Sequence, residues 1–404
     1  MTEPAGLSRA STANGSQPSA QPLSEATRAR NAWIEIDLDA LESNVRALRE
    51  TIGPGVEFIA VVKANAYGAG LAGVLPALEA AGADRYATVW VGEALAVRSL
   101  GTTKPVVVLG HAYPDEAEAA VANDITLTVH SLALGRAVSR ASVAQGRTAK
   151  VHVHIDSGLH RDGVPLDEGV ALAEALRELP GVEVEGLSTH MANADEPDDS
   201  FAETQGSIFE EAARRLPWIP FHHTANSATA LRRSSLRYQG VRIGLAMHGV
   251  LPDNTPGPEL RPLLSLKARV ARVVDVAVGE GVSYGLTWRA SRPSRVALVP
   301  VGYADGLPRG LSNRGEVLIA GRRCPMVGRV CMDQFLADVT DLDGVREGDE
   351  VVLLGEQAGA RIGPDEVARL VGTISWDILA SLQARLPRLF HRRGIVESIS
   401  EWRP

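Results

Sequence analysis

Short apolar runs alternate with amphipathic stretches along most of the chain. The runs are rich in β-branched residues and are bounded by turn residues, a pattern typical of buried strands. Between them, Ala/Leu-rich stretches predict helices at 71–81, 92–100, 115–122 and 171–176. The strand predictions cover 56–63, 85–89, 105–109, 125–129, 149–155, 182–188, 220–224 and about 239–246.

Strands that alternate with helices predict a parallel sheet. Eight strand–helix units in roughly 250 residues indicate a closed (β/α)8 barrel of the TIM type. A doubly wound open sheet is the alternative, because a sequence pattern does not show whether a sheet closes. Ahead of these units, the alternating segment 33–38 predicts a strand, and Asp39 can cap a helix through Leu41, Val45 and Leu48.

The pattern changes near Pro262, where strand-like segments begin to follow one another with turns and little helix. Predicted strands lie at 295–301, 316–319, 325–330 and 349–354, with one helix near 374–384. We therefore expect an α/β plus β protein with an N-terminal barrel over 29–262 and a mainly β C-terminal domain over 263–404. Residues 1–28 are rich in Ser, Ala, Pro, Gln and Thr and predict a disordered tail.

Composition narrows the class of protein. The net charge of −8 argues against nucleic-acid or anionic-membrane partners. No apolar run reaches the roughly 18 residues of a membrane span, and 1–28 lacks the apolar core of a secretory signal. Two cysteines, Cys324 and Cys331, form neither a disulfide framework nor a metal motif. A cytoplasmic enzyme without a structural metal is the simplest expectation.

The sharpest local feature is Lys63, which ends an otherwise apolar strand. Most such lysines reach solvent. In a barrel, however, the carboxyl end of a strand lies on the face that holds active sites. Partial burial there would lower the pKa of Lys63 and make its amine a nucleophile for a Schiff base.

Around Lys63, the stretch AVVKANAYG at 60–68 resembles the pyridoxal-phosphate motif of the alanine racemase family. The resemblance continues in order along the chain, from about Ile34 to Phe390. The matching segments are DSGLHR at 156–161, GLSTHMA at 186–192, ANSA at 225–228, VRIGL at 241–245, VSYG at 282–285, GYADG at 302–306 and VGRVCMDQ at 327–334. Eight motifs in one order are far more specific than any one of them.

The resemblance implies a racemase with a two-base mechanism, in which one acid–base residue acts on each face of the substrate. Lys63 would hold pyridoxal 5'-phosphate as a Schiff base and act on one face of the substrate, and Tyr284 would act on the other. Arg161 would hydrogen-bond the Tyr284 phenol and lie near the substrate carboxylate, which the backbone of Met332 also contacts. Taken without the resemblance, Tyr284 reads as a core or interface tyrosine and Arg161 as a solvated charge.

The remaining implied roles concern the cofactor. Arg242 would face the pyridine nitrogen and keep it unprotonated, with support from His190. The phosphate would be held by Tyr67, the Ser227 hydroxyl, and the backbone N–H groups of Gly244 and Leu245. Ser227 and Gly244 follow the last two predicted barrel strands, where such folds often bind phosphate. The family also implies a homodimer in which Tyr284 reaches the barrel of the second copy.

Four positions depart from the family pattern. His154 stands where the family often has a carbamylated lysine that pairs with the arginine matching Arg161, and a histidine cannot provide that anion. Ala69 replaces a histidine, His248 a tyrosine, and Trp376 a tyrosine beside the phosphate. These changes leave open a racemase of another or broader substrate range, serine for example.

Other classes fit less well. A non-catalytic pyridoxal-phosphate carrier would need neither the chain beyond Pro262 nor the motif around Tyr284. A decarboxylase of this architecture would carry a cysteine motif in its second domain that is not evident here. A metal hydrolase would carry a motif such as His-Glu-x-x-His, which the sequence lacks. Interconversion of L-alanine and D-alanine, for a bacterial cell wall, is therefore the leading hypothesis.

Overall fold

The computed structural model describes residues 30–401 and, at the level of the backbone, Ser8–Arg9. The chain divides into two compact units, which we call the barrel unit and the β unit. The barrel unit consists of Ala40–Ala66 and Val74–Arg261. The β unit consists of the described residues up to Asp39, together with Tyr67–Gly73 and everything described from Pro262 onward.

The sheet of the barrel unit has eight parallel strands, and each overlaps one of the eight predictions. Their bounds are Glu57–Val61, Arg85–Thr88, Val106–Val108, Ile125–Val129, Ala149–His154, Val182–Ser188, Phe221–His223 and Gly240–Ile243. The last strand pairs with the first, placing Val241 opposite Phe58. Between the last two strands, Gln239 N donates to His222 O at 3.1 Å and Arg242 N to Ala225 O at 2.9 Å. The sheet is therefore a nearly closed barrel, and the open-sheet alternative is wrong.

Helices follow the barrel strands as predicted. Strands such as Ile125–Val129 are buried throughout, as expected for a parallel sheet covered by helices. The helix Leu132–Gln145 shows the local chemistry that bounds these elements: Ser131 accepts from Leu134 N at its start, and Gly146 ends it in a left-handed conformation. The other helices of this part of the chain are Leu38–Ile52, Lys63–Tyr67, Leu71–Ala81, Val91–Ser99, Ala117–Ala122, Leu166–Arg177, Phe201–Arg215 and Ser227–Arg232.

The β unit is built on a largely antiparallel sheet of twelve strands. Its strands are Ser8–Arg9, Ala32–Asp37, Leu264–Arg269, Arg272–Val276, Ser294–Val299, Glu316–Ile319, Arg322–Val327, Phe335–Asp338, Glu350–Gln357, Ala360–Ile362, Arg388–Arg392 and Ile395–Ser400. Gly281–Val282 and Trp288–Arg289 form a separate hairpin. Two helices, Pro364–Val371 and Ser375–Ala380, complete the unit; the first was not predicted, and the second is shorter than predicted. A barrel followed by a mainly β region is therefore confirmed.

Two segments of the predicted 29–262 domain fall in the β unit: the described residues up to Asp39, and Tyr67–Gly73. Ala32–Asp37 falls within the predicted 29–262, yet it pairs antiparallel with Leu264–Arg269 and parallel with Arg388–Arg392. Its burial alternates from Ile34 to Asp37, which suits an antiparallel sheet, and the barrel already has its eight strands. The predicted tail over 1–28 lies outside the described residues except for Ser8–Arg9, which pair with the final strand. None of the described helices is both long and apolar enough to cross a membrane.

A buried arginine anchors the segment Tyr67–Gly73 within the β unit. Arg388 Nε donates to Gly68 O at 3.0 Å, and its two terminal nitrogens donate to the carbonyls of Leu382, Gln383 and Leu386 at 2.7–3.0 Å. The contact is close, since a Cβ on Gly68 would lie 2.4 Å from Leu379 O. Burial lowers the pKa of Arg388 to about 10. The partners of this buried cation are carbonyl oxygens, whereas buried arginines usually pair with carboxylates.

We expect Arg388→Leu to lower the free energy of unfolding by about 3 kcal/mol or more, because each buried carbonyl left without a donor costs about 1–3 kcal/mol. Urea denaturation followed by circular dichroism measures the change. Arg369→Leu is the control, since its guanidinium is exposed and lies 3.4 Å from Asp365; we expect a change below about 1 kcal/mol there. Equal effects of the two substitutions would contradict the anchoring role of Arg388.

Candidate active site

Most of the predicted site residues of the barrel unit lie at the carboxyl ends of its strands. Lys63 follows Glu57–Val61, and His190 follows Val182–Ser188. Ser227 follows Phe221–His223, and Gly244 follows Gly240–Ile243, the strand that carries Arg242. This is the face on which barrels of this kind hold their active sites. The structure thus places these residues on one face, as the strand predictions required.

The backbone after Lys63 makes an unusual left-handed turn. Ala64, Asn65, Ala66 and Tyr67 have φ values of 52°, 54°, 53° and 53°. A left-handed conformation costs an L-residue roughly 1–2 kcal/mol, and it is normally adopted singly. Such strain persists only where its surroundings enforce it, and it is concentrated at functional sites.

Glu93 is one of the groups that enforce this turn. Its carboxylate accepts from Ala64 N at 2.7 Å through Oε1, and from Val89 N at 3.0 Å through Oε2. Ala66 N donates to Val62 O at 2.9 Å. The carboxylate therefore ties the residue after Lys63 to the end of the neighbouring strand. Nothing in the sequence pattern singled out Glu93, because an acidic residue near a helix start is common.

The environment of Lys63 favours its neutral amine. Burial lowers the pKa of Lys63, and the positive charge of Arg161 lowers it further. Glu93 and Asp162 oppose this shift without reversing it. A lowered pKa raises the fraction of neutral amine, which is the form of lysine that acts as a nucleophile.

Arg242 is a buried cation that contacts no carboxylate among residues 30–401. Nη1 donates to His223 O at 2.7 Å and to His223 Nδ1 at 2.8 Å. Nη2 shares its two hydrogens among three acceptors, which are the carbonyls of Thr189 and Thr224, both at 2.8 Å, and His190 Nδ1 at 3.1 Å. Burial lowers the pKa of Arg242 to about 10. Across residues 30–401, its Nε donates to no other group and stays available to a ligand.

Neutral histidines surround this guanidinium. Burial lowers the pKa of His190 well below its usual value, and the charge of Arg242 adds to the effect. A neutral His190 can accept from Arg242 through Nδ1, which leaves its proton on Nε2. The contact agrees with the predicted support of Arg242 by His190.

Ser227, Gly244 and Leu245 come together at the start of a short helix. Ser227 Oγ accepts from Gly244 N at 3.2 Å, and Leu245 is buried next to it in sequence. The helix cap is Asn226, whose Oδ1 accepts from Thr229 N at 2.9 Å. Since Asn226 makes the capping hydrogen bond, the Ser227 side chain is not needed for it. The Ser227 hydroxyl can therefore donate its proton to a ligand. Oxygen and nitrogen donors of this kind suit a phosphate.

Arg161 has a partner that the sequence analysis missed. Its Nε donates to Asp162 Oδ2 at 3.0 Å. His154 Nδ1 instead lies 2.9 Å from Ser188 Oγ. Burial lowers the pKa of His154 to about 3, and the positive charge of Arg242 contributes to this lowering. His154 is therefore neutral and supplies no negative charge to Arg161. An aspartate directly after the arginine was the signal available in the sequence.

The other predicted site residues belong to the β unit. Tyr67 is buried, and burial raises its pKa, so its phenol stays protonated. Tyr284 and Met332 are 72% and 53% exposed. The loops that carry them are joined, since Ser283 Oγ donates to Arg329 O at 2.7 Å and Ala304 N donates to Met332 O at 2.9 Å. Both side chains therefore belong to one exposed region of the β unit.

Comparison with known proteins supports one family along nearly the whole chain. The family model "Alanine racemase, N-terminal domain" matches residues 36–252, and "Alanine racemase, C-terminal domain" matches 263–390. The alanine racemase of Symbiobacterium thermophilum is 41% identical over 369 residues, which cover 89% of this chain and 97% of that protein. Alanine racemase 2 of Caldanaerobacter subterraneus subsp. tengcongensis is 38% identical and covers 92% of this chain and 98% of its own.

Solved structures give the same result. Alanine racemase from Bacillus anthracis with bound L-Ala-P has a TM-score of 0.86 at 38% identity, covering 92% of this chain and 97% of that one. Alanine racemase from Bartonella henselae with covalently bound pyridoxal phosphate has a TM-score of 0.81 at 28% identity, with coverages of 89% and 99%.

We expect two neighbouring substitutions to move the titration of Lys63 in opposite directions. Arg161→Met removes a charge that lowers the pKa of Lys63, so that pKa rises; Asp162→Asn removes a charge that raises it, so that pKa falls. Only the neutral amine reacts with trinitrobenzenesulfonate, and the reaction rate therefore rises with pH through the pKa.

The measurement is the rate of Lys63 labelling against pH, read by peptide mass spectrometry in protein freed of bound cofactor. The rise should lie at higher pH in Arg161→Met and at lower pH in Asp162→Asn than in the parent protein. Shifts in the same direction would mean that these two charges do not act on Lys63 as the structure indicates.

Proposed function

The chain belongs to the alanine racemase family, and from that membership we propose that it interconverts L-alanine and D-alanine with pyridoxal 5'-phosphate as cofactor. The observation that carries the proposal is a lysine amine of lowered pKa and a buried guanidinium on one barrel face. Lys63 has a lowered pKa there, and the buried Arg242 keeps its Nε free of protein acceptors among the described residues. We place the reaction in the cytoplasm on compositional grounds, since the chain is acidic and carries only two cysteines.

The donors on this face fit the cofactor. Lys63 Nζ is the proposed point of covalent attachment. The Ser227 hydroxyl, the N–H groups of Gly244 and Leu245, and the protonated Tyr67 phenol are proposed to hold the phosphate. Arg242 Nε is proposed to face the pyridine nitrogen, with His190 accepting from the far side of the guanidinium. When bound, the cofactor withdraws electrons from the substrate Cα and thereby makes its C–H bond acidic.

The protein then has to move protons at that carbon. Lys63 is proposed to take or return the proton on one face of Cα, and Tyr284 on the other, because inversion needs an acid–base group on each side. Arg161 is proposed to hold the substrate carboxylate together with the backbone of Met332. A guanidinium at the pyridine nitrogen does not give up its proton readily, so that nitrogen stays unprotonated and side reactions such as transamination are disfavoured.

A second copy of the chain is proposed to receive Tyr284. Its ring is 72% exposed, and Leu286, Tyr303 and Met332 on the joined loops are 48%, 43% and 53% exposed. Exposed apolar side chains gathered on joined loops are typical of interaction surfaces. In the proposed homodimer, each Tyr284 completes the barrel site of the other copy.

A broader substrate range is the second candidate function. Three departures from the family pattern support it: neutral His154, buried His248 and half-buried Trp376. The proposed chemistry is unchanged in that case, and the difference lies in which amino-acid side chains are accepted. A carrier without catalysis is disfavoured, because it requires no second acid–base group.

We expect the holoenzyme to convert L-alanine to the racemate, and both Lys63→Ala and Tyr284→Phe to lose at least about a thousandfold in kcat, the scale of a missing acid–base group. Chiral chromatography of a panel of L-amino acids measures the conversion. Tyr238→Phe is the matched control, because that hydroxyl is buried without a hydrogen-bond partner. Turnover of serine with little alanine would favour the second candidate, and cofactor binding with no turnover at all would favour the carrier.

Mixing the two inactive variants tests the shared site. If Lys63 and Tyr284 come from different copies, a hybrid of Lys63→Ala and Tyr284→Phe has one intact site. Random reassociation should then restore about a quarter of the parent activity, since half of the dimers are hybrids with half of their sites intact. No recovery, in a mixture whose hybrids are detected by native mass spectrometry, would place both residues in one copy.

A further inference from the structure

A chain of buried side chains leads from Arg242 through the interior of the barrel unit. Arg242 Nη1 donates to His223 Nδ1 at 2.8 Å, and His223 Nε2 lies 2.9 Å from His152 Nδ1. His152 Nε2 lies 3.4 Å from Glu185 Oε2. All four residues are buried, with His152 at 0% exposure.

The positions of the hydrogens in this chain follow from its two ends. A guanidinium only donates, so His223 accepts through Nδ1 and carries its proton on Nε2. His223 Nε2 therefore donates to His152 Nδ1, and the His152 proton is also on Nε2. A carboxylate only accepts, so Glu185 is the acceptor that this last proton requires. Donors and acceptors thus match along the chain only when both histidines are neutral and every hydrogen bond runs from Arg242 toward Glu185.

The charges agree with that assignment. Burial lowers the pKa of His152 and holds that of His223 well below its usual value, and the charge of Arg242 adds to the shift at His223. Burial alone would raise the pKa of Glu185, but its hydrogen bonds to His152, Arg85 and Lys150 keep it low. Glu185 is therefore an anion that is hydrogen-bonded in series with the buried Arg242.

The surrounding packing holds the two histidines in place. His152 packs with ring centroids 5.0 Å from His223 and 6.0 Å from Phe221. A Cβ on Gly186, the residue after Glu185, would lie 2.5 Å from the His152 ring. The glycine thus makes room for the ring in the position where it contacts both His223 and Glu185.

We propose that Glu185, His152 and His223 are positioning residues that orient Arg242 toward the cofactor and offset its charge through a one-way hydrogen-bond relay. The proposal rests on the proposed function for what Arg242 contacts. An ionised acceptor strengthens each hydrogen bond before it in a buried chain, because the bonds polarise one another. His223 is thereby a better acceptor for Arg242, and the guanidinium is a weaker positive charge toward a ligand at Nε.

Glu185 also takes part in an ion-pair network at the start of the strands, which supplies a matched control. Arg85 Nη1 donates to Glu185 at 2.9 Å, and Arg85 Nε donates to Glu57. Lys150 Nζ lies 3.0 Å from Glu185 Oε1, whereas Arg85 contacts Oε2. Glu57 and Glu185 both pair with Arg85. Glu57→Gln therefore removes one negative charge beside Arg85 but leaves the relay intact, whereas Glu185→Gln removes the negative charge at the end of the relay.

We expect Glu185→Gln holoenzyme to lose about tenfold in kcat for alanine, on the scale of other outer-shell substitutions, with KM within about twofold of the parent. Its bound cofactor should show a shifted visible absorption spectrum. Glu57→Gln should change neither kcat nor the spectrum. Equal effects of the two substitutions, or an unchanged kcat and spectrum in Glu185→Gln, would overturn the proposal.

A measurement independent of turnover tests the relay itself. In holoenzyme with 15N-labelled histidine, the ring signals of His152 and His223 should both report the neutral form protonated at Nε2. His152→Phe assigns one signal and breaks the relay, and it takes the place of Glu185→Gln if that variant does not fold; it should shift the cofactor spectrum while retaining Glu185.

Either histidine found charged, or protonated at Nδ1, would show that the relay does not exist. The two proposals fail separately. A parent protein that racemises no amino acid overturns the proposed function, while the ring signals and the cofactor spectrum still decide whether the relay is present.

Discussion

The barrel unit depends on accommodating one buried positive charge, that of Arg242. Taking a guanidinium out of water is costly unless its donors are satisfied. Here the partners are carbonyls and neutral histidines, with no carboxylate in direct contact among the described residues. A carboxylate in direct contact would neutralise the positive charge of the Arg242 guanidinium, which carbonyls and neutral histidines do not. Carbonyls and histidines fix the orientation of the guanidinium, and Glu185 acts on its charge only through His152 and His223.

The strained left-handed turn after Lys63 holds this lysine in position on the same barrel face. An amine at the end of a flexible loop would be solvated and charged, and so a poor nucleophile. The left-handed turn from Ala64 to Tyr67 fixes the chain directly after the lysine, and Glu93 anchors it at Ala64 N. The carboxylate raises the pKa of Lys63, but burial and Arg161 outweigh it. Backbone support and electrostatic tuning therefore come from different groups, and each can vary without removing the other.

The sequence predicted the parts of the fold that rest on local burial. The eight barrel strands were predictable because they are buried runs between amphipathic helices. The order of the β sheet was not, since antiparallel partners such as Ala32–Asp37 and Leu264–Arg269 are far apart in sequence. The left-handed turn was hidden for another reason, because alanine disfavours that conformation and only tertiary contacts enforce it. His152 and His154 lie two apart, yet one contacts His223 and the other Ser188.

The pairing of Arg161 with Asp162 bears on how such a site can change. An arginine near a substrate carboxylate needs an anion that orients it without cancelling its charge. In this chain the carboxylate partner of Arg161 is the residue that directly follows it, Asp162, at 3.0 Å. The Arg161 side chain of this pair is 63% exposed and the Asp162 side chain 32% exposed, so water screens the pair. A partner on the same loop moves with the arginine, whereas one on a barrel strand would hold it fixed. The contact with Asp162 therefore ties the orientation of Arg161 to the backbone of its own loop.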